Sequence, residues 1–186
     1  AFIYKASIPD ELSDCLYKNK YASIAPGKLL LKVENVGKYL ISNGKEIIIE
    51  PYEGASDSDI AVIAFGSAIG TLLHQRGIVA IHGSAVRTAN GAVIFTGKQG
   101  VGKSTTAAAL SLRGWEFMAD DICAIHMQDE APYVYPGLIR AKLTPESFEK
   151  ITGNAPDGLP IMPLLNKFSM KFKPNLLPEK LRTVCL

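Results

Sequence analysis

The segment Ala92-Val93-Ile94-Phe95-Thr96-Gly97-Lys98-Gln99-Gly100-Val101-Gly102-Lys103-Ser104-Thr105 runs from a β-branched and aromatic stretch into a complete G-x-x-x-x-G-K-S pattern. Such a stretch forms a buried strand, and the glycines after it permit a tight turn whose amide hydrogens point inward. An Ala-rich helical pattern follows from Lys103 to Arg113, with its positive N-terminal end at the same point. Strand, loop and helix together make a phosphate cradle. The amides of Gly97, Lys98, Gln99, Gly100, Val101 and Gly102 would ring the phosphates, and Lys103 would reach the β and γ phosphates as a point charge. The hydroxyl of Ser104 or Thr105 would hold Mg²⁺. The expected ligand is therefore a nucleotide, ATP with Mg²⁺.

Working outward, Ile78 to His82 and Ser84 to Thr88 read as one strand, and Asn90-Gly91 turns the chain back. The strand entering the loop thus pairs antiparallel with its predecessor, which predicts a mixed rather than a parallel sheet. That hairpin carries His82 beside the loop strand. On the other side, Gly114 caps the loop helix, and Trp115 to Ala119 reads as a strand ending in Asp120-Asp121. Transfer of a phosphoryl group needs metal ligands and a residue that positions or deprotonates the acceptor hydroxyl. Adjacent strand residues point to opposite faces, so Asp120 and Asp121 can divide those tasks. His82 could hydrogen-bond an Asp and tune it. Arg140 and Arg76 are candidates for stabilising charge on the transferring group, with Gln75 and Arg76 expected at a helix end facing the hairpin.

The 186 residues are 47% hydrophobic and 20% charged, enough for one well-buried core or a core with a small lobe. A net charge of +2, with Lys and Arg scattered, argues against a nucleic-acid partner. Cys15, Cys123 and Cys185 form no C-x-x-C pair and suggest neither disulfides nor zinc, which favours a cytoplasmic setting. Ile60 to Leu73, broken by Gly66, Ser67, Gly70 and Thr71, is too short for a membrane span, and no signal-peptide pattern opens the chain. Ala1 is no initiator Met, and the Pro- and Leu-rich end shows no closing element, so a longer natural chain is expected.

Residues 1–57 read as a meander of short strands, at Phe2 to Tyr4, Leu29 to Val33, Tyr39 to Ile41 and Glu46 to Ile49. Asp57-Ser58-Asp59 starts a mostly buried helix ending near Gly77. Beyond the acidic pair, Ile122 to Met127 and Tyr133 to Gly137 are strands, Thr144-Pro145-Glu146 opens a helix ended by Gly153, residues 154–165 form a loop, and Lys167 to Phe172 returns as a strand. The expected division is a meander over 1–57 and a catalytic domain over 58–186.

Arg76-Gly77, Ile81-His82-Gly83-Ser84-Ala85-Val86, Thr96-Gly97 to Ser104, Arg113-Gly114 and Ala119-Asp120-Asp121 together resemble the catalytic core of the HPr kinase/phosphorylase superfamily. The resemblance spans about residues 72 to 125 and implies an α/β fold: a mixed β-sheet P-loop kinase core of the HPr kinase/PEP carboxykinase-like type, with an N-terminal β-meander. It implies a Mg²⁺-dependent serine kinase acting on a peptide or protein, and allows a homo-oligomer. By that resemblance His82 supports the acidic pair, Asp120 is the general base toward the acceptor serine, and Asp121 with Ser104 holds the metal.

Thr105 replaces the family's Glu after the loop Ser, no Glu-Ile-Arg-Gly segment stands around Tyr135 to Arg140, and the C-terminal signature is missing. These departures point away from HPr itself and from the reverse phosphorylase reaction. The meander and the His-Gly-Ser-Ala-Val pattern look closer to homologous kinases of lasso-peptide biosynthesis, which phosphorylate a precursor's C-terminal serine. A small-molecule kinase and a non-catalytic nucleotide-binding module would share the same residues and stay open.

Overall fold

The structure, a computed structural model, describes residues 1–161 and 166–186. The chain forms two compact units, Ala1–Ile78 and Val79–Leu186.

In the first unit, six strands make one sheet in the order β1-β6-β5-β4-β3-β2. They are β1 (Phe2–Lys5), β2 (Tyr17–Lys18), β3 (Ala22–Ala25), β4 (Lys28–Val33), β5 (Gly37–Ser42) and β6 (Glu46–Pro51). All neighbours are antiparallel except β1, which lies parallel to β6. β2 and β3, only two and four residues long, lie outside the strands expected from the sequence. Asn43 and Gly44 turn β5 into β6 with φ of 52° and 64°, a left-handed pair that Asn and Gly accept most readily.

One sheet face packs under helices α1 (Asp57–Ile63) and α2 (Ile69–Gln75), so the helical segment shares a core with the meander. Ser56 caps α1, its Oγ accepting from the Asp59 amide. The reading predicted one regular helix, whereas a π-helical turn, Ala64–Ala68, separates α1 from α2. The cause is visible in the buried residues Ile60, Ala64, Ala68 and Leu72, spaced by four. At about 3.6 residues per turn such a row drifts around the helix, and a wider turn brings it back over the sheet. Gln75 and Arg76 stand at a helix end as expected, Gln75 closing α2 and Arg76 capping it. Gln75 Oε1 accepts from Gly44 N at 2.7 Å and Arg76 Nε donates to Gly44 O at 2.6 Å, so both clamp the β5–β6 turn.

The second unit holds β7 (Val79–Thr88), β8 (Gly91–Thr96), α3 (Lys103–Ser111), β9 (Glu116–Gln128), β10 (Ala131–Tyr135), β11 (Arg140–Leu143), α4 (Pro145–Thr152), β12 (Phe168–Lys171) and β13 (Glu179–Cys185). Five strands close into a barrel in the order β10-β13-β8-β7-β9, and β11 with β12 makes a separate antiparallel ribbon. The β7–β8 hairpin is antiparallel as expected, and the sheet is mixed because β13 lies parallel to β8. The expectation that the chain lacks a terminal element is therefore corrected. Pro174 and Pro178 obscure a strand that only a non-local partner completes.

The acidic pair lies in the middle of β9, a single run of thirteen residues that joins the stretch before the pair to the strand expected to continue after it. Pairing of β7 with β9 shifts between Ala85 and Val86, so that Ala85 faces Ala119 while Val86 faces Phe117 and Met118 is the extra residue. Through this bulge Met118 and Ala119 both join the cluster with Ala85, Ile94, Cys123 and Val134. Phe117 and Val86 point the other way, to Ala107 and Ala108 of α3 and Ala141 and Leu143 of β11. Helix α4 is capped as read, with Thr144 Oγ1 accepting from Ser147 N and Gly153 left-handed at φ 75°. The predicted loop 154–165 falls partly outside the described residues.

Candidate functional site

Strand period two decides what reaches the loop helix. Val86 packs against α3, so Ser84 and His82 lie on the same face of β7. In the register Ser84 pairs with Asp120 and His82 with Ile122. Gly83 between them is required by packing, since a Cβ there would stand 2.5 Å from the Phe95 carbonyl oxygen. Its absence lets β7 and β8 close up beneath the loop.

The loop leaves β8 through Gly97 and reaches α3 through Gly102, with φ of 130° at Gly97, 86° at Gly100 and 95° at Gly102. L-residues rarely enter that region, so the backbone needs glycine there. Gly102 is the N-cap of α3, and the helical ladder begins with Thr106 N donating to its carbonyl at 2.8 Å. Lys103 Nζ donates to the Gly97 and Lys98 carbonyls, both at 3.0 Å, and so folds over the loop toward the space its amides enclose. Gln99, Gly100 and Val101 at the loop tip are exposed, and Thr105, the third residue of α3, lies half-buried.

Below Lys103, three oxygens meet. Ser104 Oγ donates to Asp120 Oδ1 at 2.7 Å, Ser84 Oγ donates to the same oxygen at 2.6 Å, and the hydroxyls stand 3.5 Å apart. Asp120 Oδ2 accepts the Lys142 amide at 3.0 Å. Asp120 is 4% exposed, and these three donors satisfy a carboxylate that would otherwise be costly to bury. Residues from β7, α3, β9 and β11 are therefore joined at one carboxylate. The structure brings Ser104 to Asp120, not to Asp121.

Asp121 follows a different course. Its φ of 67° is left-handed, inside a strand, a conformation that costs about 1–2 kcal/mol in a non-glycine residue. Two contacts hold it there. His82 Nδ1 lies 3.0 Å from the Asp121 main-chain oxygen, and because a carbonyl only accepts, Nδ1 carries the proton. The Asp121 carboxylate is paired with Lys142 Nζ. His82 thus orients the Asp121 backbone rather than touching either carboxylate. Its own carbonyl accepts from Thr96 Oγ1 at 2.9 Å, tying it to the last residue of β8.

Arg140 lies on β11 two residues before Lys142, and its Nε is buried without a hydrogen-bond partner among the described residues. Sequence reasoning missed Ser84 and Lys142. Ser84 was within reach of the two-residue period from His82, whereas Lys142 is brought in by a ribbon whose placement no local pattern announces. Among the described residues no group of three or more His, Cys, Asp and Glu side chains could hold a metal. The donor set that fits Mg²⁺ is one of hard oxygens, with Ser104 Oγ and Asp120 Oδ1 at hydrogen-bond separation beside the loop. The neighbouring Cys123 is no nucleophile, because burial pushes its thiol up to about 12. No helix among the described residues is long and apolar enough to cross a membrane.

No family model matches the chain. It is 46% identical over 55 residues to the HPr kinase/phosphorylase of Geobacillus sp. (strain WCH70), covering 30% of this chain and 18% of that one. It is 33% identical over 113 residues to the HPr kinase/phosphorylase of Latilactobacillus sakei subsp. sakei (strain 23K), covering 54% and 35%. The HPr kinase/phosphorylase of Bacillus subtilis (strain 168) is 47% identical over 51 residues, covering 27% and 16%. The chain therefore spans only about a sixth to a third of the length of these relatives. Among solved structures, the Hpr(Ser) kinase/phosphatase from Coxiella burnetii aligns at 23% identity over 30% of this chain and 37% of its own, with a TM-score of 0.29. Over the matched segments, the chain is similar in sequence to the HPr kinase/phosphorylases.

Proposed function

We propose that this protein is an ATP- and Mg²⁺-dependent serine kinase that transfers the γ-phosphoryl group to a serine hydroxyl of a peptide or protein. The carrying observation is the oxygen cluster of Ser84, Ser104 and Asp120 under the glycine loop, with a second, separately held carboxylate at Asp121. The partial similarity to HPr kinase/phosphorylases supports the same reading. The finer reading, carried by the sequence resemblance alone, is that the acceptor is the C-terminal serine of a lasso-peptide precursor.

The geometry favours a division of labour opposite to the one the resemblance implies. Asp120 Oδ1 and Ser104 Oγ would hold Mg²⁺, which when bound neutralises charge on the phosphates. Ser84 and the Lys142 amide keep that carboxylate in one orientation. Asp121, half-exposed and turned out of the strand, takes the acceptor proton while Lys142 fixes its carboxylate. The serine oxygen forms a bond to the γ phosphorus, the bond from that phosphorus to the β–γ bridging oxygen breaks, and ADP leaves. Lys103, freed from the Gly97 and Lys98 carbonyls, would sit on the β and γ phosphates. His82 acts through the Asp121 backbone.

Incubation with serine peptides, ATP and Mg²⁺, read by mass spectrometry, tests the reading. Asp121→Asn is expected to keep nucleotide binding and lose about 10²–10⁴-fold in transfer. Asp120→Asn is expected to lose transfer together with the Mg²⁺ dependence of nucleotide binding. If ATP binds and no serine gains a phosphoryl group under any condition, the kinase reading fails.

A further inference from the structure

We infer that the acceptor carries a negative charge close to its reacting hydroxyl, and that the β11–β12 ribbon reads that charge; this rests on the kinase reading above. The ribbon pairs Arg140 with Lys171 and Lys142 with Ser169. Directly opposed residues share a face, and so do residues two apart, so all four lie on one side. The opposite side is accounted for, with Ala141 and Leu143 buried in the core against α3 and Met170 packed on it. One ribbon face is thus apolar and seated, while the other carries three cations and a hydroxyl.

Only one of those cations is compensated. Lys142 pairs with Asp121, whereas neither Arg140 nor Lys171 has an ion-pair partner among the described residues. Arg140 Nε and Ser169 Oγ are both buried without a hydrogen-bond partner among the described residues. Buried polar groups are normally paired, and two orphans on one face leave polar atoms that no described residue satisfies and that an incoming acceptor would suit. A guanidinium with a neighbouring ammonium and hydroxyl suits a carboxylate or phosphate oxyanion.

The ribbon is also fixed against the reacting groups, because Lys142 donates its amide to Asp120 and its ammonium to Asp121. Arg140 stands two strand residues from Lys142, roughly 7 Å along the ribbon. An anion bound there lies within one residue's reach of a hydroxyl on Asp121. A terminal serine's own carboxylate, an adjacent acidic side chain and an adjacent phosphorylated residue all meet that description, and they share one chemistry.

Matched serine peptides distinguish these sources. One pair ends in serine with a free carboxylate or an amide, a second carries Glu or Gln beside an internal serine, and a third peptide carries phosphoserine beside it. Binding is read by calorimetry with a non-hydrolysable ATP analogue and Mg²⁺, and transfer by mass spectrometry with ATP. At least one anionic peptide is expected to bind about tenfold tighter than its neutral match, with an advantage that falls with salt. Lys171→Gln should erase that advantage and Lys171→Arg keep it, through KM and with kcat for the neutral peptide unchanged. Equal binding of charged and neutral peptides, or no binding of any, overturns the oxyanion site, and transfer to neutral peptides would leave the kinase reading intact. Tight binding of the anionic peptide with no transfer from ATP keeps the site and removes the kinase reading.

Discussion

At the scale of single residues, Asp120 shows how a carboxylate can be buried and still be ready for a ligand. Its two oxygens take three donors from three different elements, and each donor is a neutral hydroxyl or amide. Removing one leaves a desolvated acceptor short of a partner. Ser84→Ala is expected to lower the stability of the second unit by about 1.5–3 kcal/mol, as for hydrogen bonds to charged groups, seen as a reduced urea midpoint at unchanged m-value. Ser104 still meets Asp120 in that variant, so nucleotide binding should survive when measured below the new midpoint. Asp121 is the opposite case, a strained residue held from outside by His82 and Lys142. Strain of this kind persists where the surroundings over-determine it, and it is the observation on which we propose Asp121 for the proton-accepting task.

At the scale of elements, the site depends on how closely β7 and β8 approach and on which face each strand presents. Gly83 sets the approach. Gly83→Ala would drive a Cβ into the Phe95 carbonyl two residues before Gly97 opens the loop, and backbone cannot move aside as a side-chain tip can. A loss of about 1–3 kcal/mol, typical of overpacking, is expected together with weaker ATP binding. Thermal melts with and without ATP check both effects, and a variant that melts and binds as the parent does would show that the hairpin tolerates separation. The π turn between α1 and α2 and the bulge at Met118 answer the same geometric need. Each inserts a local irregularity so that a row of apolar residues meets its partner face, and neither has a marker residue in the sequence.

At the scale of the molecule, each unit has its own core, and the first carries a charge cluster with a pH signature. Lys38 is buried in the sheet, donates to the Ile8 carbonyl at 2.7 Å, and lies 3.1 Å from Asp10 and 3.0 Å from Glu50. The Ile8 amide, then Lys38, lowers Glu50 from its ordinary value; Lys38 likewise lowers Asp10. A lowered carboxylate stabilises the fold above its unfolded value, and that contribution disappears as pH falls through the folded one. Burial pulls Lys38 down, but Glu50 and Asp10 outweigh it and raise it, so its contribution holds below its unfolded value and is lost as pH rises through the folded one. The first unit should therefore lose stability in acid below about pH 4.3, and a Lys38→Met variant should show a flatter acid limb. Fluorescence-monitored urea titrations at stepped pH would read this, and identical slopes for both proteins would refute the assignment.

The glycine loop with Lys103 and Ser104, its flanking strand and helix, the antiparallel hairpin before it and the caps at Thr144 and Gly153 were legible in the sequence. They rest on local physics: backbone freedom at glycine, capping hydroxyls and apolar periodicity over neighbouring residues. The sequence by itself also brought His82 and the acidic pair to notice. Only the tertiary structure decided that Ser104 meets Asp120, that His82 holds the backbone of Asp121, that Ser84 and Lys142 complete the site, and that residues 179–185 form a strand. Those facts depend on register between segments distant in the chain and on a one-residue bulge in β9. A strand's pattern states which residues alternate, but the face each set occupies is settled by the partner strand it pairs with.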